Sequence, residues 1–208
     1  MTEKIANLLL NIKAITLSPN SPYTWSSGLK SPIYCDNRLV ISHPEEREQV
    51  IHAFVQIIKE KYSGVEIIAG TSTAGIPHAA WIADRLGLPM VYIRSKAKGH
   101  GKENLIEGTF SEGNRVLVIE DLISTGGSSL QAAEAVSKAG GQVIGVCSIF
   151  TYELPKAKQA FQDAKISNHS LTTFSILLKT ALKNDEISQE DYFLLEKWRQ
   201  DPESWLTN

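Results

Sequence analysis

Apolar residues recur along this chain at two spacings. Val50, Ile51, Phe54, Val55, Ile57 and Ile58 repeat at helical intervals, and Ser42 with Glu45 three residues on has the form of a capping box ahead of them. This predicts a helix ending near Tyr62, just ahead of Gly64. From there short β-branched runs alternate with helical stretches. The predicted order is strand Val65 to Ala69, helix Pro77 to Leu86, strand Met90 to Ile93, strand Val116 to Ile119, helix Ser128 to Ala139 and strand Val143 to Phe150. Strands joined by single helices need crossover connections, so the expected class is α/β: a doubly wound, mostly parallel central sheet with helices on both faces.

The flanks follow other rules. After a short amphipathic helix around Leu8, Leu9, Leu10 and Ile12, residues 1–40 are punctuated by Pro19, Pro22, Gly28 and Pro32. Tyr23-Thr24-Trp25 and Ile33-Tyr34-Cys35 read as two short strands, and the segment as a small N-terminal hood on an α/β core at 41–150. Residues 151–208 are expected to be mainly helical, with a second capping box at Ser188 and Asp191. The whole of 1–208 is read as a single domain, a length that one α/β core with a modest extension accommodates.

Composition narrows the class of partner. A net charge of -2 with 21% charged residues gives no electrostatic footprint for nucleic acid or a membrane surface, so neither is expected as a partner. Cys35 and Cys147 lie far apart and outside any CxxC pair, which favours packing thiols in a reducing cytoplasm. The N-terminus lacks the long apolar core of a signal peptide, and no apolar run approaches the roughly 20 residues that cross a bilayer. His43, His52, His78 and His169 share no metal-ligand spacing, and Trp25, Trp81, Trp198 and Trp205 read as packing or dimer-contact residues.

The segment Val116-Leu117-Val118-Ile119-Glu120-Asp121-Leu122-Ile123-Ser124-Thr125-Gly126-Gly127-Ser128-Ser129 carries the most chemistry. A buried strand delivers two acids to the carboxyl edge of the sheet, where ligands of open α/β folds bind. A hydroxyl- and glycine-rich turn then enters a helix, so unpaired backbone N–H groups face outward as a phosphate cradle. In isolation a Gly-Gly turn is an ordinary strand-to-helix connection. Two carboxylates beside a cradle would repel a phosphate unless they served its other groups, and vicinal ribose hydroxyls with a shared magnesium ion meet that need. No GxxxxGK[ST] or GxGxxG pattern occurs, which removes the nucleoside triphosphate and dinucleotide readings.

This segment resembles the phosphoribosyl pyrophosphate signature of the type I phosphoribosyltransferases, and Glu120 to Ser128 resembles the version typical of the orotate-specific family. The resemblance implies the type I phosphoribosyltransferase fold and Mg2+-dependent transfer of ribose 5-phosphate from phosphoribosyl pyrophosphate to orotate, in pyrimidine biosynthesis. It also implies binding of phosphoribosyl pyrophosphate by Glu120, Asp121, Leu122, Ile123, Ser124, Thr125, Gly126, Gly127 and Ser128, with Asp121 catalytic and Ser124 touching orotate. No metal ligand is firmly assigned: the substrate itself would hold most of the ion, with Asp121 a candidate ligand.

Three other segments join it. Arg94-Ser95-Lys96-Ala97-Lys98-Gly99-His100-Gly101-Lys102 packs five potentially cationic groups into nine residues. Such a run is commonly a solvated loop, yet a pyrophosphate leaving group also needs concentrated positive charge. Arg94, Lys98 and His100 match the catalytic loop of the orotate family, which implies that Lys98 is catalytic and that a homodimer shares its active sites. Thr71-Ser72-Thr73-Ala74-Gly75 is either a tight strand-to-helix turn or a place where backbone approaches a ligand. By family position it is the pyrophosphate loop, with Thr73 and Ala74 in contact; many relatives carry lysine where this chain has Ala74.

Ser26-Ser27-Gly28-Leu29-Lys30-Ser31-Pro32-Ile33-Tyr34-Cys35-Asp36 resembles the stretch that lies over orotate, making Lys30 and Tyr34 candidate base contacts beside their plainer reading as a surface lysine and a strand aromatic. Some relatives have lysine at the Ser26 position. Two other readings fit part of this pattern. The hood and basic loop argue against a purine phosphoribosyltransferase, and the irregular N-terminus and acidic balance argue against a DNA-binding sensor of phosphoribosyl pyrophosphate.

Overall fold

The computed structural model describes residues 1–24, 28, 30–95 and 105–205. Helix α1 (Thr2–Asn11) is followed by four short strands, β1 (Ile15–Leu17), β2 (Tyr23–Thr24), β3 (Lys30–Ser31) and β4 (Ile33–Cys35), and by a 3-10 turn over Asn37–Ser42. The chain continues through α2 (Pro44–Lys61), β5 (Ile67–Thr71), α3 (Gly75–Leu86), β6 (Met90–Ile93), β7 (Ile106–Glu107) and β8 (Arg115–Ile123). It ends with α4 (Gly127–Lys138), β9 (Gln142–Thr151), α5 (Pro155–Asp163), β10 (Asn168–Thr173), α6 (Phe174–Lys183) and α7 (Gln189–Gln200).

Six strands form the central sheet in the order β10-β9-β8-β5-β6-β7, parallel throughout except for the β6–β7 pair. Strand β8 lies between β5 and β9, and Val116 to Ile119 are wholly buried because both faces of the sheet are covered. Alternation along β8 separates the layers: Leu117 and Ile119 pack with residues of α1, α2, α3 and α6, whereas Val116 and Val118 pack with α4 and α5. Each aliphatic side chain buried in this way contributes about 1.5–3 kcal/mol relative to exposure. The hood consists of two antiparallel ribbons, β1 with β4 and β2 with β3.

Several boundaries differ from the expectation, each for a local reason. Strand β8 runs to Ile123, past the expected end at Ile119, so Glu120 and Asp121 lie within the strand, because β9 pairs with it as far as Thr151. The Ser42–Glu45 capping box does not form: Ser42 lies in the 3-10 turn, and α2 starts from Pro44 with His43 as an N-cap that makes no side-chain capping hydrogen bond among the described residues. The capping box at Ser188 and Asp191 does form. Strand β10 interrupts the mainly helical C-terminal region; its sequence Asn-His-Ser-Leu-Thr-Thr is polar because it closes one end of the sheet. Among the described residues no helix is long and apolar enough to cross a membrane.

Candidate active site

The two acids at the end of β8 are anchored from opposite sides. Glu120 is only 5% exposed, and its carboxylate accepts from Ser128 Oγ at 3.0 Å and from the Asp121 backbone N–H at 3.1 Å. The Asp121 carbonyl accepts from Asn37 Nδ2 at 2.7 Å, which ties the hood turn to the sheet edge. Burial raises the Glu120 carboxyl above its ordinary range, and the neighbouring Asp121 carboxyl adds to the rise. Burial raises Asp121 too, opposed by hydrogen bonds to its carboxylate and by the charge of Arg38. Without a ligand, this edge therefore holds acids that resist carrying two negative charges together.

Beyond them, Ser124 Oγ accepts from the Thr125 N–H at 2.7 Å, and the chain turns into α4 through Gly126 at φ 84°, in the left-handed region that favours glycine. Gly126 is the N-cap and supplies no side chain, so among the described residues the N-terminus of α4 has no side-chain cap at its positive end. Thr125, Gly127 and Ser128 are exposed, and a Cβ placed on Gly127 would meet nothing nearer than Thr125 Oγ1 at 4.0 Å. An anion can reach these amides without displacing protein.

The turn after β5 stands against the same edge. Thr71 Oγ1 donates to the Ile119 carbonyl at 3.1 Å, and the Ser72–Thr73 peptide is cis. A Cβ on Gly75 would lie 2.5 Å from the Ile119 carbonyl oxygen and 3.4 Å from Glu120 Cα, so only glycine lets α3 approach so closely. Thr73 is exposed and Ala74 half-buried, which leaves this turn open to solvent beside the acids.

The hood brings further groups. Lys30 is exposed with Nζ on Thr24 Oγ1 at 2.7 Å, and Tyr34 is 44% exposed with its ring 5.6 Å from that of Tyr23. The carbonyl of Lys30 accepts from Nε1 of Trp198, a fully buried residue of α7 that packs on Tyr152 and Phe174. Arg94 stands at the base of the basic segment: its N–H donates to the Leu105 carbonyl at 2.8 Å, and its guanidinium is 3.6 Å from Glu107. Lys98, His100, Ser26 and Trp25 lie outside the described residues.

Reading the sequence did not single out Asn37 or Arg38, whose importance comes from a contact across 84 positions of chain. The nearest signal was Asp36-Asn37-Arg38, a polar run directly after a hood strand. The remaining candidates behave as packing groups: Cys147 is buried with its thiol pushed up to about 12, and His78 is buried with its ring pulled down to about 4 by desolvation. A cleft of about 830 Å³ lies between α5 and β10, lined in part by Lys158, Phe161 and His169. It lacks the paired acids and the uncapped helix that stand together at the edge of β8.

The sequence model of the phosphoribosyl transferase domain matches residues 40–180. The chain is 56% identical over 205 residues to the orotate phosphoribosyltransferase of Enterococcus faecalis, covering 99% of this chain and 98% of that protein. It is 52% identical over 208 residues to that of Halalkalibacterium halodurans, covering 99% of each. Among solved structures, orotate phosphoribosyltransferase from Aeropyrum pernix superposes with a TM-score of 0.77 at 24% identity, over 88% of this chain and 99% of that one.

Proposed function

This chain belongs to the orotate phosphoribosyltransferase family, and on that premise we propose how its own residues divide the work of the reaction. The enzyme transfers ribose 5-phosphate from phosphoribosyl pyrophosphate to orotate, giving orotidine 5'-phosphate and pyrophosphate. In this transfer a bond forms between N1 of orotate and the anomeric carbon, the N1 proton is released to solvent, and the bond from that carbon to the diphosphate oxygen breaks with its electron pair leaving on pyrophosphate. Positive charge builds on the ribose ring and negative charge on the leaving oxygen, as in other oxocarbenium-like glycosyl transfers.

In this reading Glu120 and Asp121 accept hydrogen bonds from the ribose hydroxyls, which relieves the crowding of the two acids. The amides and hydroxyls from Thr125 to Ser128 hold the 5'-phosphate, with Leu122 and Ile123 setting the strand that aims them. Thr73 and Ala74 line the pyrophosphate side. Arg94, Lys98 and His100 stabilise the departing charge, and Ser124, Lys30 and Tyr34 face the base. The single observation that carries the reading is the N-terminus of α4, without a side-chain cap, reached through the Ser124–Gly126 turn from two tethered acids on a buried parallel strand.

Members of the phosphoribosyltransferase family generally use Mg2+ with phosphoribosyl pyrophosphate. Among the described residues no group of three or more metal-binding side chains occurs. An ion held mainly by substrate oxygens and water needs only one or two carboxylates from the protein, and Asp121 is the residue that would contribute. When bound, the ion neutralises diphosphate charge as it accumulates. The reading extends to residues 1–208 as one domain, to a homodimer whose basic segments serve each other's sites, and to a cytoplasmic location.

Titration of phosphoribosyl pyrophosphate with Mg2+ onto the wild type and Asp121→Asn tests the assignment. Loss of about tenfold or more in affinity is expected, the order of a charge-assisted hydrogen bond. Equal affinity in the two proteins would move the ribose site away from the end of β8.

A further inference from the structure

Orotate differs from uracil by a carboxylate on the ring, and a carboxylate taken out of water needs a fixed cationic partner. We propose that Arg38 is that partner, receiving the orotate carboxylate on the free edge of its guanidinium and so setting the enzyme's preference for an anionic pyrimidine. The inference rests on the reading above that the base lies on the hood side of Asp121.

Its position is set by four hydrogen bonds. The amide of Asn37 holds the Asp121 carbonyl at 2.7 Å, which fixes the start of the 3-10 turn against the end of β8. Asp36 is the N-cap of that turn and accepts from the backbone N–H of Arg38 at 3.2 Å. The same carboxylate accepts from Arg38 Nε at 2.6 Å and from Nη2 at 2.9 Å, clamping one side of the guanidinium plane. Among the described residues Nη1 has no protein partner, and the side chain is 64% exposed. A fork held along one edge with the other edge open suits bidentate capture of a second carboxylate at little cost in rotamer entropy.

The surroundings agree. The charge of Arg38 is coupled electrostatically to the hood aromatic Tyr34 and to the acid Asp121. Lys30, the other described hood cation near the base contacts, is a compact ammonium already on Thr24 Oγ1 at 2.7 Å. It lacks the planar fork that distinguishes a carboxylate from a neutral substituent.

The test compares orotate with its 6-carboxamide analogue in wild type, Arg38→Ala and Arg38→Lys, at saturating phosphoribosyl pyrophosphate and Mg2+. KM for orotate is expected to rise about 30-fold or more in Arg38→Ala, the low end for losing one partner of a hydrogen-bonded charge pair. KM for phosphoribosyl pyrophosphate and the inhibition constant of the carboxamide should stay near wild type, and Arg38→Lys should recover only part of the loss. The fold should tolerate both variants, because the cap of the turn uses the backbone N–H of residue 38. A parallel weakening of orotate and carboxamide would make Arg38 a purely structural residue, and no change in either would remove it from the site; both results overturn the proposal. Asp121→Asn, run alongside, separates the two levels of inference. If phosphoribosyl pyrophosphate ignores Asp121→Asn, the site reading itself falls; if it responds while orotate ignores Arg38→Ala, only the role of Arg38 falls.

Discussion

Glu120→Gln should stabilise the ligand-free enzyme while removing most of its activity. Glu120 is 5% exposed, stands beside a second carboxyl, and has its proton affinity raised by burial first and by Asp121 second. A carboxyl whose folded pKa lies above its unfolded value keeps its proton in the folded state where the unfolded chain has lost it. Its stabilising contribution is therefore full below the ordinary value of 4.5 and drains away as pH rises through the folded pKa. Wild-type stability should accordingly fall between about pH 5 and about pH 8.5 more steeply than in the variant.

Glutamine preserves the shape and both local contacts. Its carbonyl can still accept from the Asp121 N–H, and its amide can donate to Ser128 Oγ once that hydroxyl rotates to accept. What is removed is a buried charge with incomplete compensation, worth about 1–3 kcal/mol. A gain near the middle of that range at about pH 8.5 corresponds to a rise in Tm of about 4–8 °C for a chain of this length. Thermal unfolding of both proteins across the pH range, without and with phosphoribosyl pyrophosphate and Mg2+, provides the assay. Substrate should stabilise the wild type much more than the variant. A variant that melts below wild type at the alkaline end, with the same pH slope, would refute the view that this carboxyl is held at a cost to stability for use by the ligand.

Gly75→Ala places a methyl 2.5 Å from the Ile119 carbonyl oxygen and should cost about 1–3 kcal/mol, with a higher KM for phosphoribosyl pyrophosphate as the turn is pushed off β8. An unchanged urea midpoint together with an unchanged KM would show that the close approach is not needed. Lys98→Ala should reduce turnover by at least about a hundredfold with an unaltered melting temperature, since its task is transition-state charge. Mixing Lys98→Ala with Asp121→Asn subunits should raise activity above that of either variant alone if each site draws its basic segment from the neighbour. A mixture that subunit exchange leaves no more active than either variant would place both residues in a site within one chain.

How much could be read from the sequence depended on how local the determinant was. The core strands and helices were legible because runs such as Val116 to Ile119 and the spaced aliphatics of α2 are buried as their patterns require. The acids, the Gly126 turn and the start of α4 were legible because strand, ligand edge and cradle are contiguous in the chain. Strand β10 was not, since an end strand with Asn168, His169 and Ser170 in succession has the composition of a loop. The tether from Asn37 to Asp121 and the brace from Trp198 to Lys30 span 84 and 168 positions, and nothing in either local pattern announces a partner that far away. The Ser42 capping box failed for the complementary reason: a correct local signal was overridden by Pro44 and the 3-10 turn before it.

The most direct measurement is the loss of orotate's near-ultraviolet absorbance when purified protein meets phosphoribosyl pyrophosphate and Mg2+, with uracil, adenine, hypoxanthine and xanthine in parallel reactions. The account predicts consumption of orotate alone, with one pyrophosphate released for each orotate lost. Pyrophosphate release with another base and none with orotate would contradict it.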